Sequence, residues 1–190
     1  MAIRLRSFES PADFAAISDF LTGLYQPGNR DGNWFQPVWE YAYTHPWFDE
    51  SSLNRIGIWE DDGQIVAVAT YELRLGEAFF NTHAAYAHLK PEMLAYAEER
   101  LFGIGPDGRC YLRAYVNDFE LTFEQVVASR GYRQDPDTFY SWLGGVLPEY
   151  RRQGLAWGVI WLRHTLHIQQ PAHLSALFID PPHFVRILSG

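Results

Sequence analysis

Cysteine is almost absent from this chain, which has Cys110 as its single cysteine. One cysteine cannot form an intrachain disulfide, and it cannot supply the thiolate ligands of a cysteine-based zinc site. Long apolar runs are also lacking. No stretch approaches membrane-spanning length, and residues 1–14 contain no apolar core of signal-peptide length. A cytoplasmic protein is therefore expected, with no membrane partner.

Positive charge is scarce too, because 15 Lys and Arg stand against 23 Asp and Glu, giving a formal net charge of −8. This balance argues against broad electrostatic binding of nucleic acid or anionic membrane. A local basic loop can still hold phosphates within such a protein. No Ser-His-Asp pattern or Walker loop is present, so hydrolase and P-loop nucleotide-binding functions are not indicated.

Apolar and aromatic side chains are abundant, at 47% and 16% of the 190 residues, as expected for one globular domain or one domain with an appended fragment. A cluster of aromatics is typical of a ligand pocket, of core packing and of a contact in a homodimer, and these alternatives stay open. Its members are Trp34, Phe35, Trp39, Tyr41, Tyr43, Trp47 and Phe48.

The first half of the chain predicts a strand, two helices and a hairpin. Residues 2–8 alternate like an edge strand, and Ser10-Pro11 then starts an amphipathic helix that ends near Tyr25. A second, aromatic-rich helix is predicted over residues 35–43. The turn Asp61-Asp62-Gly63 between two alternating runs predicts a hairpin of residues 54–60 and 64–75.

Periodicity then predicts alternating strands and helices up to the end of the chain. The order strand, loop, helix, strand, helix occurs twice, which raises the question of an internal repeat. The first pass comprises a strand 78–89, a helix 91–102, a strand 109–116 and a helix 119–130. A further strand is predicted over 138–143. The second pass, from about Phe139, comprises a strand 139–147, a loop 151–156, a helix 156–169, a strand 173–179 and a helix 181–189.

The stretch VLPEYRRQGLAWG, residues 146–158, follows an apolar strand and leads into an amphipathic helix. Such a turn leaves backbone N–H groups unpaired at the first turn of a helix, where the helix dipole also favours an anion. The pattern therefore predicts a phosphate-binding loop.

This loop resembles the acyl-CoA pyrophosphate loop of GNAT-type N-acetyltransferases, which reads Arg/Gln-x-x-Gly-x-Gly/Ala after a strand ending in V-x-P-x-Y/F-R. The resemblance implies the GNAT-like acyl-CoA N-acyltransferase fold, an α+β (three-layer α/β) architecture with a mixed central sheet flanked by helices. It also implies acetyl-CoA as the acyl donor and an amine as the acceptor, without a metal. The residues expected to bind the donor are Val146, Leu147, Arg151, Arg152, Gln153, Gly154, Leu155 and Ala156.

Acyl transfer from a thioester to an amine needs strand N–H groups that polarise the acyl carbonyl, a base for the ammonium and an acid for the leaving thiolate. The backbone of residues 144–147 is the candidate for the first role. Candidate bases are Glu72 and Glu149, and Tyr140 can act through a water. The family often places its acid on a tyrosine of the last helix, and the predicted helix 181–189 has none. His164 and His167 share a predicted helix face, yet no carboxylate or cysteine completes a zinc pattern, so no metal site is predicted.

The position of the phosphate loop departs from the family order. In a GNAT domain the loop follows the strand after the hairpin, but there this chain has Ala87-His88-Leu89-Lys90, without glycine or arginine. One interpretation is a shortened tandem protein, with a GNAT-like domain over 1–142 and a partial second half over 143–190. The other is a single rearranged domain in which residues 138–156 form the working strand and loop.

Two functions follow from the resemblance. The first is an N-acetyltransferase that moves an acetyl group from acetyl-CoA to a primary amine of a small molecule or a protein. The alternative is a non-catalytic GNAT-like binding or dimerisation module, which the altered first loop and the missing tyrosine favour.

Overall fold

The computed structural model of the protein describes residues 3–26, 31–117, 119–134 and 183–188, the last range by its backbone. All of them belong to one compact unit of the chain. In these ranges the α-helices are α1 (Pro11–Leu24), α2 (Gln36–Thr44), α3 (Lys90–Arg100) and α4 (Leu121–Ser129), and short 3₁₀ helices cover Glu50–Arg55 and Ala84–Leu89.

The described strands form one mixed sheet in the order β1-β2-β3-β4-β6-β8-β7, with β5 paired to β6. Pairing is antiparallel throughout except between β4 and β6, which run parallel. The strands are β1 (Arg4–Ser7), β2 (Gly57–Asp61), β3 (Gln64–Thr70), β4 (Glu77–Thr82), β5 (Gly103–Ile104), β6 (Cys110–Tyr115), β7 (Arg133–Gln134) and β8 (His183–Leu188). A mixed sheet flanked by helices confirms the predicted fold class.

The start of α1 is fixed by the residues that predicted it. Ser10 is the N-cap residue, and Asp13 accepts hydrogen bonds from the backbone N–H groups of Glu9 and Ser10 at 2.7 and 3.2 Å. These donors have no partner within a helix, so the carboxylate satisfies them. Arg6 of β1 contacts Asp13 at 2.8 Å and Glu60 of β2 at 2.7 Å, which ties the helix to the edge of the sheet.

The predicted hairpin is confirmed as β2 and β3. Asp61 pairs with Gln64, and the two residues between them have positive φ angles, 50° at Asp62 and 76° at Gly63. Positive φ at both central residues is what a two-residue hairpin turn needs, and glycine meets this need without steric cost.

Several predicted elements differ from the structure. The strand predicted over 64–75 ends at Thr70, so Glu72 lies beyond it, and the strand predicted over 54–60 begins at Gly57. The strand predicted over 78–89 ends at Thr82, and Ala84–Leu89 form a 3₁₀ helix that runs into α3. The helix predicted over 181–189 is wrong, because His183–Leu188 form β8. This strand pairs with all six residues of β6, from Cys110↔Leu188 to Tyr115↔His183, and also with β7. The elements predicted between residues 135 and 182 lie outside the described residues.

Residues 183–188 therefore belong to the same sheet as strands β1–β7. The division of the chain at residue 142 stays a prediction, since residues 135–182 lie outside the described ranges. Among the residues described, we find no helix with both the length and the apolarity needed to cross a membrane.

The predicted aromatic cluster divides between core and surface. Trp39 is fully buried and its Nε1 donates to the carbonyl of Phe14 at 3.2 Å, and Phe48 stacks on the buried Tyr71. Trp47 and Tyr41, in contrast, are 79% and 44% exposed. Core packing thus explains the inner members, while the outer ones lie at the surface.

Candidate active site

The central feature of the site is a gap between β4 and β6, the two parallel strands. Their pairing is limited to Glu77↔Arg113 and Ala78↔Ala114, whereas β4 continues beside β3 as far as Thr82. Parallel strands joined at one end and separated at the other leave an open backbone edge inside a sheet. We call the space between residues 79–82 of β4 and the end of β6 the strand gap.

Backbone groups of β4 face this gap at every second residue. The C=O of Gly76 accepts a hydrogen bond from the N–H of Arg113 in β6 at 2.9 Å, so this side of the strand faces β6. Alternation along a strand directs the N–H and C=O of Phe80 and Thr82 to the same side. On the opposite side, the N–H of His83 donates to the C=O of Val66 in β3 at 2.9 Å.

Glu77 is a partly buried carboxylate at the paired end of the gap. Its side chain is 18% exposed, and its Oε1 lies 4.0 Å from Nη1 of Arg113. Burial raises the pKa of Glu77 above its usual range, although Arg113, Arg74 and a backbone hydrogen bond from Leu73 act in the opposite direction. A raised pKa makes this carboxylate a stronger proton acceptor than a free glutamate side chain.

Tyr115, the last residue of β6, lies next to this carboxylate. Its ring stacks on that of Phe79, with ring centroids 4.2 Å apart and an interplanar angle of 6°. The ring of Trp34 also packs against Phe79, with centroids 4.7 Å apart. Burial and the negative charges of Glu77 and Glu72 raise the pKa of Tyr115, so its hydroxyl holds its proton at neutral pH. The hydroxyl can therefore act as a proton donor.

Arg113 connects the two groups. Its guanidinium faces Glu77 and donates a hydrogen bond to the Tyr115 hydroxyl. This hydrogen bond offsets part of the rise in the pKa of Tyr115. Its Nε is buried and has no hydrogen-bond partner among the described residues. Glu77, Arg113 and Tyr115 thus place a carboxylate, a guanidinium and a phenol hydroxyl at the closed end of the strand gap.

Of the predicted catalytic residues, Glu72 lies in the described part of the chain. It is 8% exposed, in the connection between β3 and β4, and its charge contributes to the raised pKa of Tyr115. Its role as a base stays a prediction. Glu149, Tyr140 and the predicted donor-binding residues Val146, Leu147, Arg151, Arg152, Gln153, Gly154, Leu155 and Ala156 lie outside the described residues.

The connection from β4 to α3 already uses several of its polar groups within the protein. The N–H of Ala85 donates to Nδ1 of His83 at 3.2 Å and that of Tyr86 to the C=O of His83 at 2.8 Å. Lys90, at the start of α3, is 5% exposed and forms an ion pair with Glu120. These two N–H groups and this cation are therefore engaged within the protein.

No sequence pattern indicated Glu77, Arg113 or Tyr115. Glu77 precedes the predicted strand by one residue, and Tyr115 reads as an ordinary strand aromatic, so local patterns gave no reason to select them. The one signal in the sequence is the two-residue spacing along each strand. Glu77 and Phe79 share one face of β4, and Arg113 and Tyr115 share one face of β6. The parallel register that aligns them appears only in the folded chain.

The described residues contain no group of three or more His, Cys, Asp or Glu side chains placed to hold a metal ion.

Comparison with known proteins identifies the fold. No family model and no curated protein matches the chain. Among solved structures, a GNAT superfamily phosphinothricin acetyltransferase from Sinorhizobium meliloti, in complex with AcCoA, is 11% identical with a TM-score of 0.53, over 99% of this chain and 89% of that one.

Two further solved structures are similar at the same level. A polyamine N-acetyltransferase from Drosophila melanogaster is 10% identical with a TM-score of 0.52, over 98% of this chain and 100% of the other. The ribosomal-protein-S18-alanine N-acetyltransferase from Escherichia coli is 10% identical with a TM-score of 0.51, over 100% and 97%. The chain therefore has the fold of GNAT N-acetyltransferases, as the loop resemblance implied.

Proposed function

We propose that this protein binds acetyl-CoA and transfers its acetyl group to a primary amine of a small molecule or a protein. The observation that carries the proposal is the strand gap with the partly buried Glu77 at its closed end. The fold supports it, because the S. meliloti structure with this fold was solved with AcCoA. A fold alone does not establish an activity, so the argument depends on the residues at the gap. The single cysteine supports a cytoplasmic location.

In this mechanism the acyl arm of the donor lies along the open edge of β4, where a strand N–H polarises the thioester carbonyl. Glu77 accepts a proton from the acceptor ammonium, and the free amine attacks the carbonyl carbon. A C–N bond forms, the C–S bond breaks, and the thiolate takes the proton of the Tyr115 hydroxyl. The second proton of the attacking nitrogen passes to the Tyr115 phenolate, which leaves a neutral amide and a neutral thiol. Glu72 is the alternative base, since it is also buried near Tyr115.

For the pyrophosphate we propose the loop of Arg151, Arg152, Gln153, Gly154, Leu155 and Ala156, because the β4–α3 connection uses two of its N–H groups internally. Isothermal titration with acetyl-CoA tests this assignment. We expect saturable binding by the wild-type protein and at least about tenfold weaker binding by Gly154→Asp and by Arg152→Glu. Unchanged affinity in both variants would place the phosphates elsewhere, and absence of wild-type binding up to about 1 mM would contradict the proposed function.

The base is tested by Glu77→Gln, with the exposed Glu99→Gln on α3 as the matched control. We expect kcat for acetyl transfer to fall by roughly 10²–10⁴, the usual contribution of a positioned base, with unchanged affinity for acetyl-CoA. In the wild type, the rate rises with pH through the raised pKa of Glu77, and Glu77→Gln loses this limb. If Glu72→Gln removes the limb instead, Glu72 is the base.

A binding or dimerisation module remains the second candidate function. The observation that favours it is the β4–α3 connection, which has the family's place for phosphates but whose His83 and Lys90 are engaged within the protein. If the protein binds acetyl-CoA but transfers its acetyl group to none of a broad panel of amines, the result would support this second function. Sedimentation equilibrium then tests whether the protein forms a homodimer.

A further inference from the structure

The strand gap is occupied by a segment of the chain itself. Residues 31–34, between α1 and α2, enter it, and we call them the gap loop. Asn33 of this loop is 4% exposed. Its Oδ1 accepts a hydrogen bond from the N–H of Thr82 at 2.8 Å, and its Nδ2 donates to the C=O of Thr82 at 2.9 Å. The carboxamide therefore pairs with the open edge of β4 as a neighbouring strand would.

Further contacts hold the gap loop in this position. Nδ2 of Asn33 also donates to Oδ2 of Asp31 at 2.9 Å, and the N–H of Trp34 donates to Oδ1 of Asn81 at 2.7 Å. At the other side of the gap, Gly32 has a φ of 68° and lies so close to Asn117, just past the end of β6, that a Cβ at Gly32 would be 2.0 Å from Nδ2 of that side chain. Residues 32 and 33 thus reach from β4 to the end of β6.

We infer that the gap loop is an autoinhibitory plug, which acetyl-CoA must displace before its acyl arm can pair with β4. This inference rests on the proposed function. The acyl arm of coenzyme A is itself built from amides, and a carboxamide on Thr82 satisfies the same N–H and C=O groups as such an amide. Both cannot pair with Thr82 at once, since its single N–H already donates to Oδ1 of Asn33.

The side-chain chemistry at position 33 suits a reversible plug. Asparagine offers an acceptor and two donors on one planar group, so it can satisfy Thr82 and Asp31 together. The hydrogen bonds of Asn33 to Thr82 are between neutral groups, and its bond to Asp31 involves a single carboxylate. Each has a modest net strength, because water can replace it when the loop leaves. A ligand that makes equivalent bonds therefore needs only a small additional affinity to displace the loop.

Isothermal titration of acetyl-CoA into Asn33→Ala, with the exposed Asn54→Ala as control, tests the inference. Removal of the carboxamide frees the β4 edge, so we expect acetyl-CoA to bind Asn33→Ala about tenfold more tightly than it binds wild type and Asn54→Ala. Equal or weaker binding by Asn33→Ala overturns the plug and leaves the proposed function standing. If neither wild type nor Asn33→Ala binds acetyl-CoA up to about 1 mM, the proposed function fails and the plug fails with it.

A measurement on wild type alone guards against an unstable variant. Amide hydrogen exchange reports opening of individual hydrogen bonds. Saturating acetyl-CoA should speed exchange at Trp34, whose N–H leaves Asn81 with the loop, and should keep Thr82 protected because the donor replaces Asn33. Slower exchange at Trp34 on addition of acetyl-CoA would show that the loop closes over the donor, and would overturn the inference.

Discussion

Asp13 and Glu77 are two buried or partly buried carboxylates whose pKa values move in opposite directions. Burial raises the pKa of both. At Asp13 it is outweighed by the hydrogen bond from Arg6 and by those from the N–H groups of Glu9 and Ser10, so the pKa falls below its usual 3.8. At Glu77 the opposing charges of Arg113 and Arg74 do not offset burial. Asp13 is thus a structural anion, and Glu77 is a group poised to exchange a proton.

These directions have opposite consequences for stability. The lowered pKa of Asp13 contributes stability above its unfolded pKa, and this is lost as the pH falls through the folded pKa. The raised pKa of Glu77 contributes stability below its unfolded pKa, and this is lost as the pH rises through the folded pKa. Ionisation of Glu77 therefore lowers the stability of the folded protein as the pH rises.

Asp13→Asn should lower the free energy of unfolding by about 2 kcal/mol near neutral pH, because it removes the charge that Arg6 and two backbone N–H groups contact. Urea denaturation at about pH 7 and about pH 3 measures the effect, which should shrink at the lower pH as Asp13 of the wild type takes up a proton. Asp19→Asn, exposed on the same helix, is the control. An equal loss at both pH values would show that the charge of Asp13 does not matter.

At the scale of elements, local chemistry was enough where an element is defined by its own residues. Ser10 and Pro11 predicted the start of α1, and Asp62-Gly63 predicted the β2–β3 turn, because a cap and a positive φ are local requirements. Residues 183–188, HFVRIL, were predicted as helix instead. A short apolar run between two neighbouring strands has no clean alternation, and its partner strand is about 70 residues away in the sequence.

The same distinction, between local requirements and pairing of distant segments, applies to the residues of the candidate site. Glu72 was selected as a carboxylate near the hairpin, but the roles of Glu77 and Tyr115 depend on the parallel register of β4 and β6. The pairing of Asn33 with Thr82 spans 49 residues. Pairings between distant segments are decided by the whole fold, so no local pattern in the sequence specifies them.

The position of β8 gives a prediction for Val185. This residue lies opposite Arg113 of β6 and Arg133 of β7, and with a partner strand on each side its N–H is bonded to one of them. Val185→Pro should therefore destabilise the protein by roughly 1–3 kcal/mol more than Val185→Ala, which keeps the N–H. Thermal unfolding measures the difference. Equal melting temperatures for the two variants would argue against β8 as an inner strand.

At the scale of the whole molecule, the fold and the chemistry give separate arguments. Identities of 10–11% with TM-scores of 0.51–0.53 show a shared arrangement of strands and helices. The residues at the strand gap are what connect this arrangement to acyl transfer, since one fold can serve many functions.

The contribution of the end of the chain to the sheet can be tested by a chain shortened to residues 1–142, the first predicted domain. It keeps α1–α4 and β1–β7 but loses β8, so β6 and β7 lose the strand that separates them in the sheet. Six residue pairs with β6 and two with β7 are lost. The edge of β6 that paired with β8 is then left without a partner strand.

We therefore expect the shortened chain to lack a cooperative thermal transition, measured by near-ultraviolet circular dichroism against the full chain. A synthetic peptide of residues 183–190 should restore part of that transition, because a free strand can add to the vacant edge. A cooperative transition of the shortened chain near that of the full chain, without the peptide, would instead support an independent domain over 1–142. The two results separate a single sheet completed by the end of the chain from a domain followed by a partial second half.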